Sequence, residues 1–184
     1  MKLLLITLTV LQSLLATLEQ KTLVSDFSLS VAEAQNQPMT YTGSLAMHGK
    51  QFTLSMFNME AAYDGNTLYM YSEELEELTL STPTEEELTQ TNPFLYAQAL
   101  LPICQYAEKV VGDKTQITLT PNDQSAGIKK FVLRVTTATL LPTNIELHET
   151  ENQTTTLRLS NARYTDETPS FVIEKEGAFV NDLR

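Results

Sequence analysis

The sequence predicts a mainly β protein of the α+β class, an antiparallel sheet with helices laid on one face, and three observations predict it. Phe52, Leu54 and Met56 alternate with Gln51, Thr53 and Ser55, the two-residue period of a strand with one face buried. Asp64-Gly65, between Tyr63 and Asn66, supplies the positive-φ chemistry of a tight hairpin turn, and Leu68 and Met70 then alternate with Thr67, Tyr69 and Tyr71. A third run from Glu76 sets Leu78 and Leu80 on one face after a glutamate cluster, so residues 52–80 read as a three-stranded meander.

A chain of 184 residues with 42% hydrophobic content is long enough for one domain with its own core and too polar for an integral membrane protein. Its net charge of -11 argues against a nucleic-acid partner, because phosphate binding requires a basic face; the charge is that of a soluble surface. Cys104 is the single cysteine, which excludes an intrachain disulfide and any metal site built on paired cysteines, and it reads as a small buried hydrophobe.

The chain opens on MKLLLITLTVLQSLLATLEQ, one lysine followed by a leucine-rich run with no acid before Glu19. This suits a secretory signal over residues 1–16 ahead of a single domain over 17–184, with Ala16 last to be removed although Leu14 stands where a small residue is wanted. The alternative is a retained helix, since Leu11, Leu14, Leu15 and Leu18 recur at helical spacing. Strands are expected at Ser25 to Val31 and Met39 to Met47, with a turn at His48-Gly49 leading into the meander.

Thr82-Pro83-Thr84 before three glutamates starts a helix, and Asn92-Pro93 starts another more strongly, with Asn as N-cap and Pro at the first helical position. Phe94, Ala97, Leu100 and Leu101 follow at helical spacing; Pro102 interrupts, and Ile103 to Val111 is expected to resume the helix until Gly112. Helices amid strands need a surface to lie on, which a curved sheet provides. Strands return at Gln116 to Thr120, at Ile128 to Thr137 with Phe131, Leu133 and Val135 on one face, at Asn144 to His148 and at Thr154 to Ser160.

The run YDGNTLYMYSEELEELTL resembles a signature of the LolA family, a hairpin, an acidic segment and a short apolar strand. LLPTNIELHETENQTTTLRLSNARY resembles that family's closing hairpin, and the chain ends on a similar Asp-Leu-Arg tail, so the likeness runs from about Leu11 to Arg184. The resemblance implies a strongly curved, unclosed antiparallel half-barrel with helices on its concave face. It also implies a periplasmic protein that carries acylated lipoproteins from an inner-membrane release complex to an outer-membrane acceptor, as a monomer and without a cofactor. The sequence departs from the family where a Pro-x-x-Phe-Arg-Trp type segment is usual: Gly49-Lys50-Gln51-Phe52-Thr53-Leu54 has neither the proline, the arginine nor the tryptophan, and the arginine's role does not pass to Lys50.

No catalytic or metal site is readable. His48 and His148 lie far apart among polar residues, no nucleophile or phosphate-loop motif occurs, and the glutamates at 73–77 and 85–87 read as solvated faces. The candidate site is therefore an apolar cavity. Its expected lining is Phe52, Leu54, Met56, Leu68, Met70, Leu78 and Leu80 from the meander, Phe94, Leu95 and Leu101 from the helices, and Phe131 and Leu133 from the second half. The methionines at 39, 47, 56, 59 and 70 fit core packing and equally an adaptable acyl-binding surface. The expected function is carriage of acyl chains; a lipid- or lipoprotein-sensing module on the same fold is the alternative, and a secreted hydrolase is disfavoured for want of a nucleophile and base.

Overall fold

The computed structural model describes residues 8–33, 37–123, 127–149 and 153–184. The start of the leucine-rich run and the centre of the turn expected at 149–153 lie outside them. Twelve strands form one open sheet: β1 (Thr22–Ala32), β2 (Met39–His48), β3 (Gln51–Met56), β4 (Met59–Tyr63), β5 (Leu68–Ser72), β6 (Glu77–Ser81), β7 (Cys104–Val111), β8 (Lys114–Pro121), β9 (Ile128–Thr136), β10 (Pro142–Glu149), β11 (Thr154–Thr165) and β12 (Phe179–Asp182). Their order across the sheet is β12-β6-β5-β4-β3-β2-β1-β11-β10-β9-β8-β7, so β12 and β7 are unpaired edges and the half-barrel does not close. Every pairing is antiparallel except β12 on β6. The first strand sits at the centre, between β2 and β11, and joins the two halves of the molecule.

Three α-helices, α1 (Val10–Leu18), α2 (Glu85–Thr91) and α3 (Pro93–Leu100), lie on the concave face. Leu11, Leu14 and Leu18, at the spacing read from the sequence, are the buried face of α1. A capping box between Thr9 and Gln12 starts this helix, and the Val10 amide donates to the Glu108 carboxylate of β7 at 2.6 Å. At its other end the Gly49 amide donates to the Leu18 carbonyl at 2.7 Å, so α1 bridges the β7 edge to the β2–β3 turn. A cut after Ala16 would fall inside this helix. Thr84 caps α2 reciprocally with Glu87, and Asn92 Oδ1 accepts from the Phe94 and Leu95 amides, as Asn before Pro predicts.

Two elements differ from expectation. Residues 104–111 are not a continued helix: beyond a short 3-10 turn at Leu101–Ile103 the chain is the extended β7. Apolar residues at 104, 106, 107, 110 and 111 fit both periods, and pairing with β8 over eight residues decides for the strand. The meander has four strands rather than three, because β3 reverses at Phe57-Asn58 into β4. Phe57 takes the left-handed conformation (φ 52°) that glycine or asparagine usually signals, while Asn58 beside it does not, so the sequence marks this reversal only weakly. The expected turn at Asp64-Gly65 is present: Asp64 Oδ1 accepts from the Asn66 and Thr67 amides at 2.8 and 2.7 Å, and Gly65 takes φ 105°.

After β11 the chain crosses the convex face of the first half, where Phe171 and Ile173 are buried. Lys175 anchors it, pairing with Glu60 at 2.6 Å and lying 4.7 Å over the Tyr71 ring, before β12 joins the edge.

Candidate functional site

Side chains alternate between faces along each strand, so register decides which apolar residues share the concave face. Phe52, Leu54 and Met56 lie opposite Met47, Leu45 and Gly43 of β2, and Leu45 and Met47 in turn face Ser25 and Leu23 of β1. On the other flank of β1, Phe27 and Leu29 pair with Leu159 and Leu157, and Leu157 with Ile145. Between these two walls runs an open trough of about 560 Å³. Its floor carries Phe27, Leu29, Leu45, Leu54, Leu147 and Leu157, and its cover is the α2–α3 junction, where Gln90, Thr91, Pro93 and Tyr96 face inward. The Tyr96 and Phe131 rings lie 6.1 Å apart at the boundary of cover and floor.

The sheet can wrap this tightly at Gly43 because there is no side chain there. A Cβ would stand 2.1 Å from the Ser55 carbonyl oxygen and 2.7 Å from Cζ of Phe27. That glycine thus sets both the β2–β3 spacing and the position of a trough aromatic ring.

The trough wall is almost wholly apolar. Glu149, the last residue of β10 and beyond a register shift that follows His148, is the one charged residue lining it among the described residues. Its Oε2 is shielded from solvent and accepts no hydrogen bond among them. The Tyr96 hydroxyl is pushed up by burial, then by the charges of Glu149 and Cys104, and so stays protonated. No group of His, Cys, Asp and Glu among the described residues is arranged to hold a metal.

Of the twelve residues expected to line the cavity, Phe52, Leu54, Met56 and Phe131 do so. Leu68 and Met70 share the concave face, through Tyr63 and Ala61 of β4, but lie to the side of the trough, and Met70 is 41% exposed. Phe94 and Leu133 are buried core, and Leu95 and Leu101 are half-buried helix residues packed on that core. Leu78 and Leu80 are a correction. They pair with Tyr71 and Tyr69, not with Leu68 and Met70, and so point to the convex face, where Leu78 packs with Ala62 and Ile173 beneath the C-terminal crossing. The extra strand does not cause this; the acidic turn at 73–76 fixes a register in which β6 has its leucines outward, and the crossing segment makes that face a second small core.

Sequence reasoning missed Phe27, Leu29, Leu45, Ile145, Leu147 and Leu157, as well as Tyr96 and Glu149, and left Met47, which also lines the trough, open between core and acyl-binding surface. All but Tyr96 and Glu149 stand in alternating positions of strands read correctly, and the missing knowledge was that β1 brings them side by side.

The sequence model of the family described as outer membrane lipoprotein carrier protein LolA matches residues 19–171. No curated protein matches the chain. Among solved structures, an uncharacterized conserved protein from Thermus thermophilus is similar with a TM-score of 0.63 at 7% identity, over 94% of this chain and 96% of its own. The Pseudomonas aeruginosa MucA/MucB complex is similar with a TM-score of 0.52 at 15% identity, over 88% of this chain and 57% of that one, so this chain spans little more than half of its length. At such identities the likeness is one of fold.

Proposed function

The chain belongs to the LolA family, matched over residues 19–171, and on that premise we propose that it is a periplasmic carrier that shields the acyl chains of lipoproteins in its trough on the way to the outer membrane. The observation that carries this reading is the trough itself: about 560 Å³, open at the surface, walled by Phe, Leu, Ile and Met side chains and held open by a sheet that does not close. Burying about ten methylenes there is worth about 8 kcal/mol before an association cost of at least about 4 kcal/mol. Binding of one chain is therefore firm and reversible, as handover requires. Methionines 47 and 56 in the wall adapt to chains of different shape. Catalysis plays no part in the proposal.

Carriage further requires export through the leucine-rich start, a docking complex at the inner membrane and an acceptor at the outer one. The amino-terminal residue of the protein recovered from cell fractions tests export. Cleavage after Ala16 would leave two of the nine residues of α1. Mass spectrometry of molecules that copurify with the protein tests the cargo: acylated lipoprotein peptides are expected, and a protein free of any acylated species would refute the reading. A module that senses acylated ligands uses the same trough, and it is separated from a carrier by transfer, since only a carrier delivers a bound lipopeptide to acceptor vesicles.

A further inference from the structure

The two edges of the sheet are not alike. β12 has four residues and ends on Asp182, paired with Arg184 at 2.6 Å, and both its shortness and its charges blunt an edge against further pairing. β7 has eight residues, no proline and a register with β8 free of bulges. Its apolar residues are left in water: Val110 is 64% exposed, Val111 56%, and Ile103, just before the strand, 49%. The Gly112-Asp113 turn fixes which backbone groups of β7 are free. Val111 and Lys114 close a two-residue hairpin and so exchange hydrogen bonds, as do the residues at every second position from there; the Asn122 amide, donating to the Ile103 carbonyl at 2.9 Å, keeps the same alternation. Cys104, Tyr106, Glu108 and Val110 therefore aim their N–H and C=O groups outward, where no backbone partner meets them among the described residues. Helix α1 engages only side chains of this strand, the Glu108 carboxylate and the Tyr106 hydroxyl.

We propose that β7 pairs antiparallel with β7 of a second copy of this chain, about a two-fold axis at Ala107, joining the two sheets edge to edge. Residues opposite one another in such a pair aim their backbone groups both across or both away, so the axis falls at a residue and never between two. An axis at Glu108 sets two carboxylates face to face and one at Lys109 two ammonium groups, each destabilising. An axis at Ala107 sets two methyl groups there, with Gln105 opposite Lys109 and Tyr106 opposite Glu108, and it carries Val111 of each copy to the exposed Ile103 of the other. The free backbone groups and the exposed valines are then covered together. A contact about seven residue pairs long is smaller than a standard protein–protein interface, so the dimer is weak and reversible. It does not depend on the acyl-carrier reading: no residue of β7 lines the trough, and both troughs of the dimer stay open. The family resemblance implies a monomer, and at this edge the proposal departs from it.

Sedimentation equilibrium of the full chain is the test. The wild-type protein is expected to dimerise with a Kd of about 10–100 µM, and a protein that stays monomeric up to about 1 mM would overturn the proposal. Ala107→Lys and Ala107→Glu each set like charges across the axis at an exposed position; each alone should weaken the dimer about fivefold, while an equimolar mixture of the two restores association to the wild-type level or better. Val110→Pro removes an outward N–H that the hairpin does not use, so it should keep the circular dichroism spectrum and Tm of the wild type and lose the dimer. A Val110→Pro chain that fails to fold would show that the outward groups are wrongly assigned. Dimers that persist in all three variants, or a Lys and Glu mixture no better associated than either variant alone, would place any self-contact elsewhere and refute the β7 pairing.

Discussion

Placing a glutamate at position 54 and, separately, at position 78 puts the same charge on opposite faces of one sheet. Leu54 lies half-buried in the trough, where a longer side chain can turn toward the open side, so Leu54→Glu costs the fold about 1–2 kcal/mol and places a carboxylate in the path of the acyl chain. Leu78 is 6% exposed between Ala62 and Ile173. Removing it forfeits about 2–5 kcal/mol, and leaving a carboxylate without a partner adds about 1–3 kcal/mol. At roughly 2–4 °C per kcal/mol for a domain of this size, Leu78→Glu should lower Tm by about 10 °C or more, against a few degrees for Leu54→Glu. Melting curves by circular dichroism beside displacement of an acyl probe give the readout: Leu54→Glu folds and loses binding, whereas Leu78→Glu melts early and binds normally wherever it remains folded. A Leu54→Glu protein as unstable as Leu78→Glu would mean that the trough is filled core. A stable Leu78→Glu protein without binding would mean that the faces are wrongly assigned.

Leu14 is fully buried, so Leu14→Ala should cost about 2–5 kcal/mol in denaturant unfolding, and a chain beginning at residue 17 should be far less stable than one beginning at residue 8; equal stability would show that α1 is dispensable. Gly43→Ala should part β2 from β3 or drive the Phe27 ring into the trough, costing about 1–3 kcal/mol with weakened acyl binding, and a variant with wild-type Tm and affinity would contradict the 2.1 Å approach to Ser55. Burial pushes the Asp64 carboxyl up, but the Thr67 and Asn66 amides and the Tyr69 hydroxyl outweigh it and hold it below 3.8. A depressed carboxylate stabilises the fold above its unfolded value and loses that contribution as pH falls through the folded one. Acid unfolding below about pH 4 should therefore be shallower in Asp64→Asn, and an unchanged acid limb would deny the turn its role.

What the sequence disclosed and what it withheld divide along local and non-local information. The Asp64-Gly65 turn, the Asn92-Pro93 helix start and the alternation in β3 and β9 are determined by residues within a few positions of one another, and all are present. Cys104 to Val111 is ambiguous in sequence because its apolar residues suit either period, and its state depends on β8 for partners. The outward leucines of β6 depend on a segment about a hundred residues later: without Ile173 lying over them, a strand with Leu78 and Leu80 on its convex face would be an exposed apolar edge, and periodicity alone assigns such residues to the nearest core. The trough is the most non-local feature of all. Its walls are built by β2 and β3 on one side of β1 and by β11, β10 and β9 on the other, so no window of sequence contains it. Glu149 illustrates the consequence. In sequence it is one acid of a polar turn, indistinguishable from the solvated glutamates at 73–77; only the fold, which carries the end of β10 to the trough, makes it the one charged residue lining that wall among the described residues.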